Sequence, residues 1–185
     1  MSRLSLASRD NIPEKQLALF DDLVKEYGLT TFATQGILAH VPMAWKIDRD
    51  LRDFLRYESS LPEDVVKLSM LLAGRELDCQ FIWNTHAGSA IQAGVPEGVM
   101  EALRDRSELP KLAAKHVAVI QYGREIYRAH RVSAGTFSLA KEQFGERGIV
   151  ELSLLFGSYH MLAILLNSTD AKLRPNRTEQ VLPIC

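Results

Sequence analysis

Apolar residues recur along this chain at three- and four-residue steps, the spacing that gathers side chains on one face of an α-helix. Pro13 opens a first such segment, in which Leu17, Phe20, Leu23, Val24 and Tyr27 share a stripe and Gly28 supplies the stop. A shorter helix is predicted over 32–39, ending before Pro42. Over 43–57, Trp45, Ile47, Leu51, Phe54 and Leu55 form an apolar stripe. The intervening Lys46, Asp48, Arg49, Asp50, Arg52 and Asp53 read as a solvated face laced with opposite-sign pairs. Pro62, followed by Glu63 and Asp64, starts a strongly apolar helix that runs to about Ala73. Gly74 separates it from a helix over 79–93, with Asp78 as N-cap and Gly94-Val95-Pro96 as stop. A short helix over 96–104 and a long amphipathic one over 111–128 follow. Ser133 caps a helix over 134–144 that Gly145 ends, and 148–167 is a final apolar helix before a Pro-containing tail at 173–185. Period-two alternation is nowhere sustained, so the fold class is all-α.

No stretch is polar or long enough to act as a linker, and 185 residues suit one domain over 1–185 with a single core. One internal echo stands out: Val66-Lys67-Leu68-Ser69-Met70 matches Val150-Glu151-Leu152-Ser153-Leu154. Chance similarity of apolar helices explains it as readily as a duplication does. A duplication would place Lys67 and Glu151 at equivalent points of two helical halves.

Charge narrows the partners. Twenty-two Lys and Arg against 23 Asp and Glu leave a formal net charge of −1, which calls for neither nucleic acid nor an anionic membrane surface. The longest apolar runs, 152–156 and 161–166, fall short of the ~20 residues that span a bilayer. Residues 1–8 lack a continuous apolar signal core, and the only cysteines, Cys79 and Cys185, suit a reducing compartment. A cytoplasmic setting is expected. His40, His116, His130 and His160 follow no metal-ligand spacing, so no metal is expected. There is also no Gly-rich phosphate loop, nucleophile elbow or dinucleotide fingerprint.

Candidate chemistry concentrates in Asp78-Cys79-Gln80-Phe81-Ile82-Trp83-Asn84-Thr85-His86. Cys79 and His86 lie seven residues apart, close to two turns, so one helix would point both the same way. A thiol in the first turn lies at the positive end of the helix dipole, which favours thiolate. His86 can exchange a proton near neutral pH. A buried cysteine and a satisfied core histidine fit that spacing equally well. On one continuous helix Arg75, Cys79, Ile82 and His86 would form a single stripe, with the Arg75 guanidinium placed to fork onto a carboxylate. Pairing of Arg75 with Glu76 or Asp78 is the alternative. Phe81 and Trp83 read either as packing or as pocket walls. Lys67, mid-helix among Val65, Val66, Leu68 and Met70, is a snorkelling lysine or a partly desolvated amine. His160, in the apolar final helix, is a further site candidate.

Arg75, Gln80-Phe81, Trp83 and His86 resemble the Arg and the aromatic-Trp-x-x-His signature of the carboxymuconolactone decarboxylase-like family. In the same frame Cys79 and His86 match the first Cys and the His of the Cys-x-x-Cys-x-x-x-His motif of alkylhydroperoxidase D-like proteins. His40-Val41-Pro42, Ser60-Leu61-Pro62 and the segment from Phe144 to Leu152 resemble further family landmarks in order. Two positions depart: Ile82 replaces the second Cys or the Glu common there, and Lys67 stands where an acid usually supports the His.

The resemblance implies an alkylhydroperoxidase D-like helical bundle assembled as a dimer, trimer or hexamer. It also implies a cofactor-independent enzyme acting on a small unsaturated cyclic carboxylate or lactone by decarboxylation or proton transfer. In that reading Arg75 clamps the anion, Phe81, Ile82 and Trp83 wall the pocket, and His86 moves the proton, with Lys67 and His160 nearby. A thiol peroxidase using Cys79, and a non-catalytic binding or scaffold member, are the alternatives.

Overall fold

The computed structural model describes residues 3–29, 34–177 and 179–184, and it contains no β-strand among them. Two short 3₁₀ turns precede α1 (Leu17–Tyr27), which ends at Gly28 as its pattern predicts. Of the helix expected over 32–39, α2 (Thr34–Leu38) is seen; Phe32 and Ala33 lie outside the described residues, as does Cys185. α3 (Pro42–Asp53) starts on its proline and passes into a π-helical turn, Phe54–Glu58. The wider π turn advances side chains differently from an α-turn, which matters below for Arg56.

α4 (Glu63–Glu76) is the axis of the molecule. It packs against α5 (Gln80–Gln92), α7 (Ala114–Ala129) and α8 (Ala134–Ser168), and buries Val65, Val66 and everything from Leu68 to Arg75. Gly74 lies inside α4, and the helix break comes later, at Leu77 and Asp78, where Asp78 takes φ +49°. The reason is steric: a Cβ on Gly74 would sit 3.1 Å from the Trp83 amide nitrogen and 3.2 Å from Ile82 Cγ2. The glycine lets α5 press directly on the α4 backbone. α6 (Glu97–Asp105) closes one end of this pair.

α8 is two helical stretches meeting at Gly145, whose φ of 68° and ψ of −179° break the helical path where the sequence predicts a stop. Ser133 caps it, its hydroxyl accepting the Thr136 N–H at 3.3 Å. The second stretch is long and apolar enough to cross a membrane, although its unbroken apolar runs are short, because Gly157, Ser158 and His160 interrupt them without lowering the average much. More than half of that window is packed into the core.

The two segments of the internal echo, in α4 and in α8, are direct neighbours. Their paired residues do different work. Glu151 is buried and accepts the Ser60 N–H at 2.9 Å and the Ser60 hydroxyl at 2.6 Å, which fixes the turn into α4. Lys67 is half-buried on the side of α4 that faces His86.

Candidate active site

The charged face of α3 and the π turn behind it supply half of the site. Asp48, Arg52 and Arg56 follow one another at four-residue steps, one above the next. Asp48 and Arg52 are both buried, and Arg52 Nε donates to Asp48 Oδ2 at 2.8 Å. The sequence read this face as solvated. It is instead turned inward in part, and the ion pair offsets the desolvation of the two charges. One turn on, Arg56 donates from Nε to the Tyr159 hydroxyl oxygen at 3.0 Å and makes a second, shorter bond from Nη2 to the same atom.

Tyr159 comes from α8 and His86 from α5. The Tyr159 hydroxyl lies 3.3 Å from His86 Nε2, and the two rings meet edge to face at 71°. With Arg56 donating into the phenol oxygen, a phenol O–H turned toward Nε2 would leave the proton of a neutral His86 on Nδ1. Burial depresses the His86 pKa well below its ordinary 6.5, and the positive charges of Arg56, Lys67 and Arg52 push the same way. Tyr159 is almost wholly buried; burial raises its pKa, and Arg56 pulls against that. At pH 7 the site therefore holds a neutral imidazole and a neutral phenol beside two guanidinium groups.

These groups open onto a cavity of about 160 Å³. Trp45, Phe81, Ile82, Leu162 and Leu166 give it apolar walls, and Arg49 and Arg174 stand at its edge. No carboxylate is among the described residues that line it. Such a cavity suits a small, partly apolar anion. No three His, Cys, Asp or Glu side chains converge as a metal site among the described residues.

Of the residues singled out in the sequence, His86, Phe81 and Ile82 line this cavity. Four others do not. Asp78 does not cap α5; Cys79 is the N-cap residue itself, in extended conformation, and is fully buried. Burial raises its thiol pKa, outweighing the backbone N–H groups of Ile82 and Phe81 that draw it down, so the expected thiolate is not favoured. Arg75 sits on the preceding helix, 2% exposed, bonded to the Pro183 carbonyl and paired with Asp78, away from His86. Trp83, buried, lines a different pocket, with Ile91 and Met100. His160 stacks on Tyr127 in an apolar groove on the outside of α8. The reason is one of phase: the break at Leu77 and Asp78 ends the continuous helix on which the four-residue stripe depended.

Arg52, Arg56 and Tyr159 were missed. Their signals were present: Arg49, Arg52 and Arg56 recur at three- and four-residue steps, and Tyr159 precedes the His160 that drew attention.

No protein-family profile and no curated protein sequence matches this chain. Solved structures do. An uncharacterised peroxidase-related protein from Silicibacter sp. TM1040 superposes with a TM-score of 0.73 at 14% identity, covering 97% of this chain and 95% of that one. The alkylhydroperoxidase AhpD core of a peroxidase-related protein from Ralstonia eutropha JMP134 gives 0.72 at 12% identity, covering 94% and 93%. The chain has the alkylhydroperoxidase D-like fold. A protein of unknown function from Agrobacterium tumefaciens, tied by name to AhpD, gives 0.66 at 15% identity over 74% of this chain and 94% of that one. On this fold the described residues carry a buried Cys79 and, apart from it, the Arg56–Tyr159–His86 line.

Proposed function

We propose that this protein is a cofactor-independent enzyme that moves a proton at a carbon atom of a small unsaturated cyclic carboxylate or lactone. The observation that supports this reading is the line Arg56–Tyr159–His86 in a cavity where apolar side chains alternate with arginines and no described carboxylate takes part. Arg56, backed by Arg52, binds the carboxylate and stabilises the negative charge that spreads over the substrate as a dienolate forms. Once substrate turns the Tyr159 hydroxyl away from Nε2, that nitrogen of neutral His86 takes the proton from carbon and returns it to another carbon, while the freed hydroxyl donates toward the developing oxyanion. Where the substrate loses its carboxylate, the C–C bond breaks, carbon dioxide leaves, and its electron pair becomes the same dienolate. The Tyr159 O–H then gives its proton to carbon, and the phenolate regains one from solvent by way of His86.

The names of the structural neighbours point instead to peroxide chemistry. For this chain that reading requires Cys79 as a thiolate, and burial with a raised pKa disfavours it.

The test is solvent-deuterium incorporation into a panel of unsaturated cyclic acids, followed by NMR, with carbon dioxide release measured in parallel. The parent is expected to exchange or release. His86→Gln, with an unchanged melting temperature, is expected to lose about 10²–10⁴-fold. Cys79→Ala is expected to stay within twofold of the parent. A His86→Gln rate above half the parent's would remove His86 as the proton carrier. Dithiol-dependent peroxide turnover that Cys79→Ala abolishes would establish the peroxidase reading.

A further inference from the structure

Beyond α8 the chain makes no further helix, yet its last described stretch is held with specific geometry. Gln80, the first residue of α5, forms a two-point clamp on the backbone of Leu182: its Nε2 donates to the Leu182 carbonyl at 2.6 Å, and its Oε1 accepts the Leu182 N–H at 2.8 Å. A side-chain amide thus pairs with the backbone as a neighbouring β-strand would. Asn84, one turn further along α5, donates to the Gln180 carbonyl at 3.2 Å, and Arg75 donates to the Pro183 carbonyl at 3.2 Å. Leu182 itself is 2% exposed. The Glu179 carboxylate lies over α5 at Gly88, where a Cβ would come within 2.7 Å of its oxygen. Three side chains of the α4–α5 corner and one bare glycine therefore read five or six residues of extended backbone.

Upstream of this anchor the same stretch passes the mouth of the His86 cavity. Leu173 packs against the core, and Arg174 lines the cavity opposite Phe81 and Thr85. Arg174 is exposed, outside any helix, and opens a turn in which its carbonyl accepts the Arg177 N–H at 3.3 Å. It lies between two attached points, Leu173 on the core and the Leu182 anchor.

We infer that 179–184 is an anchoring strap whose docking on Gln80, Asn84 and Arg75 holds Arg174 over the cavity, making Arg174 a positioning residue for incoming anions. The inference rests on the carboxylate-binding reading of that cavity. It explains why Arg75 and Gln80, prominent in the sequence, lie outside the cavity: they grip the strap that frames it. Held there, Arg174 adds a cation at the cavity, which raises the local concentration of a small anion, while Arg56 binds it within.

The test uses the full-length chain and benzoate as the probe, with binding followed by calorimetry at two ionic strengths. Arg174→Gln is expected to weaken binding by about two- to fivefold, the range of an exposed charge contact, and to flatten its salt dependence. Leu182→Asp, which releases the anchor far from the cavity, is expected to give the same loss, and Gln80→Ala serves as a second release that leaves Leu182 intact. The double variant Arg174→Gln/Leu182→Asp is expected to bind no more weakly than either single variant, because each removes the same contribution. A Leu182→Asp or Gln80→Ala protein that binds benzoate as the parent does, or a double variant whose losses multiply, overturns the strap. Arg56→Gln separates the two ideas: if it leaves binding unchanged, or the parent binds no benzoate, the cavity reading itself fails and the strap's role falls with it.

Discussion

At the scale of single residues, the candidate site depends on a histidine kept neutral. His86 is surrounded by cations, with Arg52, Arg56 and Lys67 all disfavouring its imidazolium. No acid stands at 67 or 82 to favour the charged form. Two results follow. Unfolded, the imidazole titrates near its ordinary 6.5, and folded it titrates well below that. Between these values the unfolded chain binds more protons, so the His86 contribution makes stability fall as pH drops through and below 6.5. Urea midpoints measured from pH 7.5 to 5 are expected to fall less steeply in His86→Gln than in the parent; parallel curves would contradict the depressed value. Tyr159→Phe keeps the ring packed and deletes the hydroxyl that joins Arg56 to His86. It is expected to lower proton-transfer turnover by at least about tenfold, less than loss of His86 itself, while melting stays near the parent's. A rate equal to the parent's would take Tyr159 out of the reaction. These two residues also mark the limits of reading the sequence. His86 was visible through its motif, whereas Tyr159 lies 73 residues away and meets it only in space.

Among the helices, the closeness of α4 and α5 governs where the site residues fall. Gly74 permits that approach, with the Trp83 backbone nitrogen and the Ile82 side chain directly over it. In Gly74→Ala the added methyl must displace a backbone atom of α5, a cost of about 1–3 kcal/mol. The gain in helix propensity is at most about 1 kcal/mol. A net loss on the order of 1 kcal/mol is expected in urea denaturation, and because Ile82 lines the cavity, benzoate affinity should fall with it. A midpoint equal to or above the parent's would show that α5 can yield freely. The boundaries of most helices were legible locally, as Ser133, Pro42 and Gly145 show. The boundary between α4 and α5 was not. Gly74 was read as a stop because glycine so often ends helices, but its role here is contact between backbones. Asp78 supplies the turn instead, at φ +49°.

For the whole molecule, the outer face of α8 remains apolar. Val150, Leu154, Met161 and Ile164 are exposed along it, at steps of four, seven and three. Met161 and Ile164 line the groove where His160 stacks on Tyr127. Exposed apolar stripes of this kind mark contact surfaces. A second copy of the chain is the expected occupant, so light scattering at micromolar concentration should show a homo-oligomer, and Ile164→Glu should shift it toward monomer without unfolding it. A monomeric parent would leave this face to a different partner.

Helix periodicity, caps and stops are properties of a few neighbouring residues, and these by themselves determined the all-α class, nearly every element and the placing of His86 on its helix. Only the tertiary structure decided which side of each helix meets another. The face of α3 read as solvated delivers Arg52 and, past the π turn, Arg56 to a tyrosine 103 residues away. The stripe of Arg75, Cys79 and His86 required an unbroken helix, and one left-handed residue at Asp78 removed their common phase. Convergence between distant segments depends on how buried surfaces fit, and spacing along one segment carries no information about that fit.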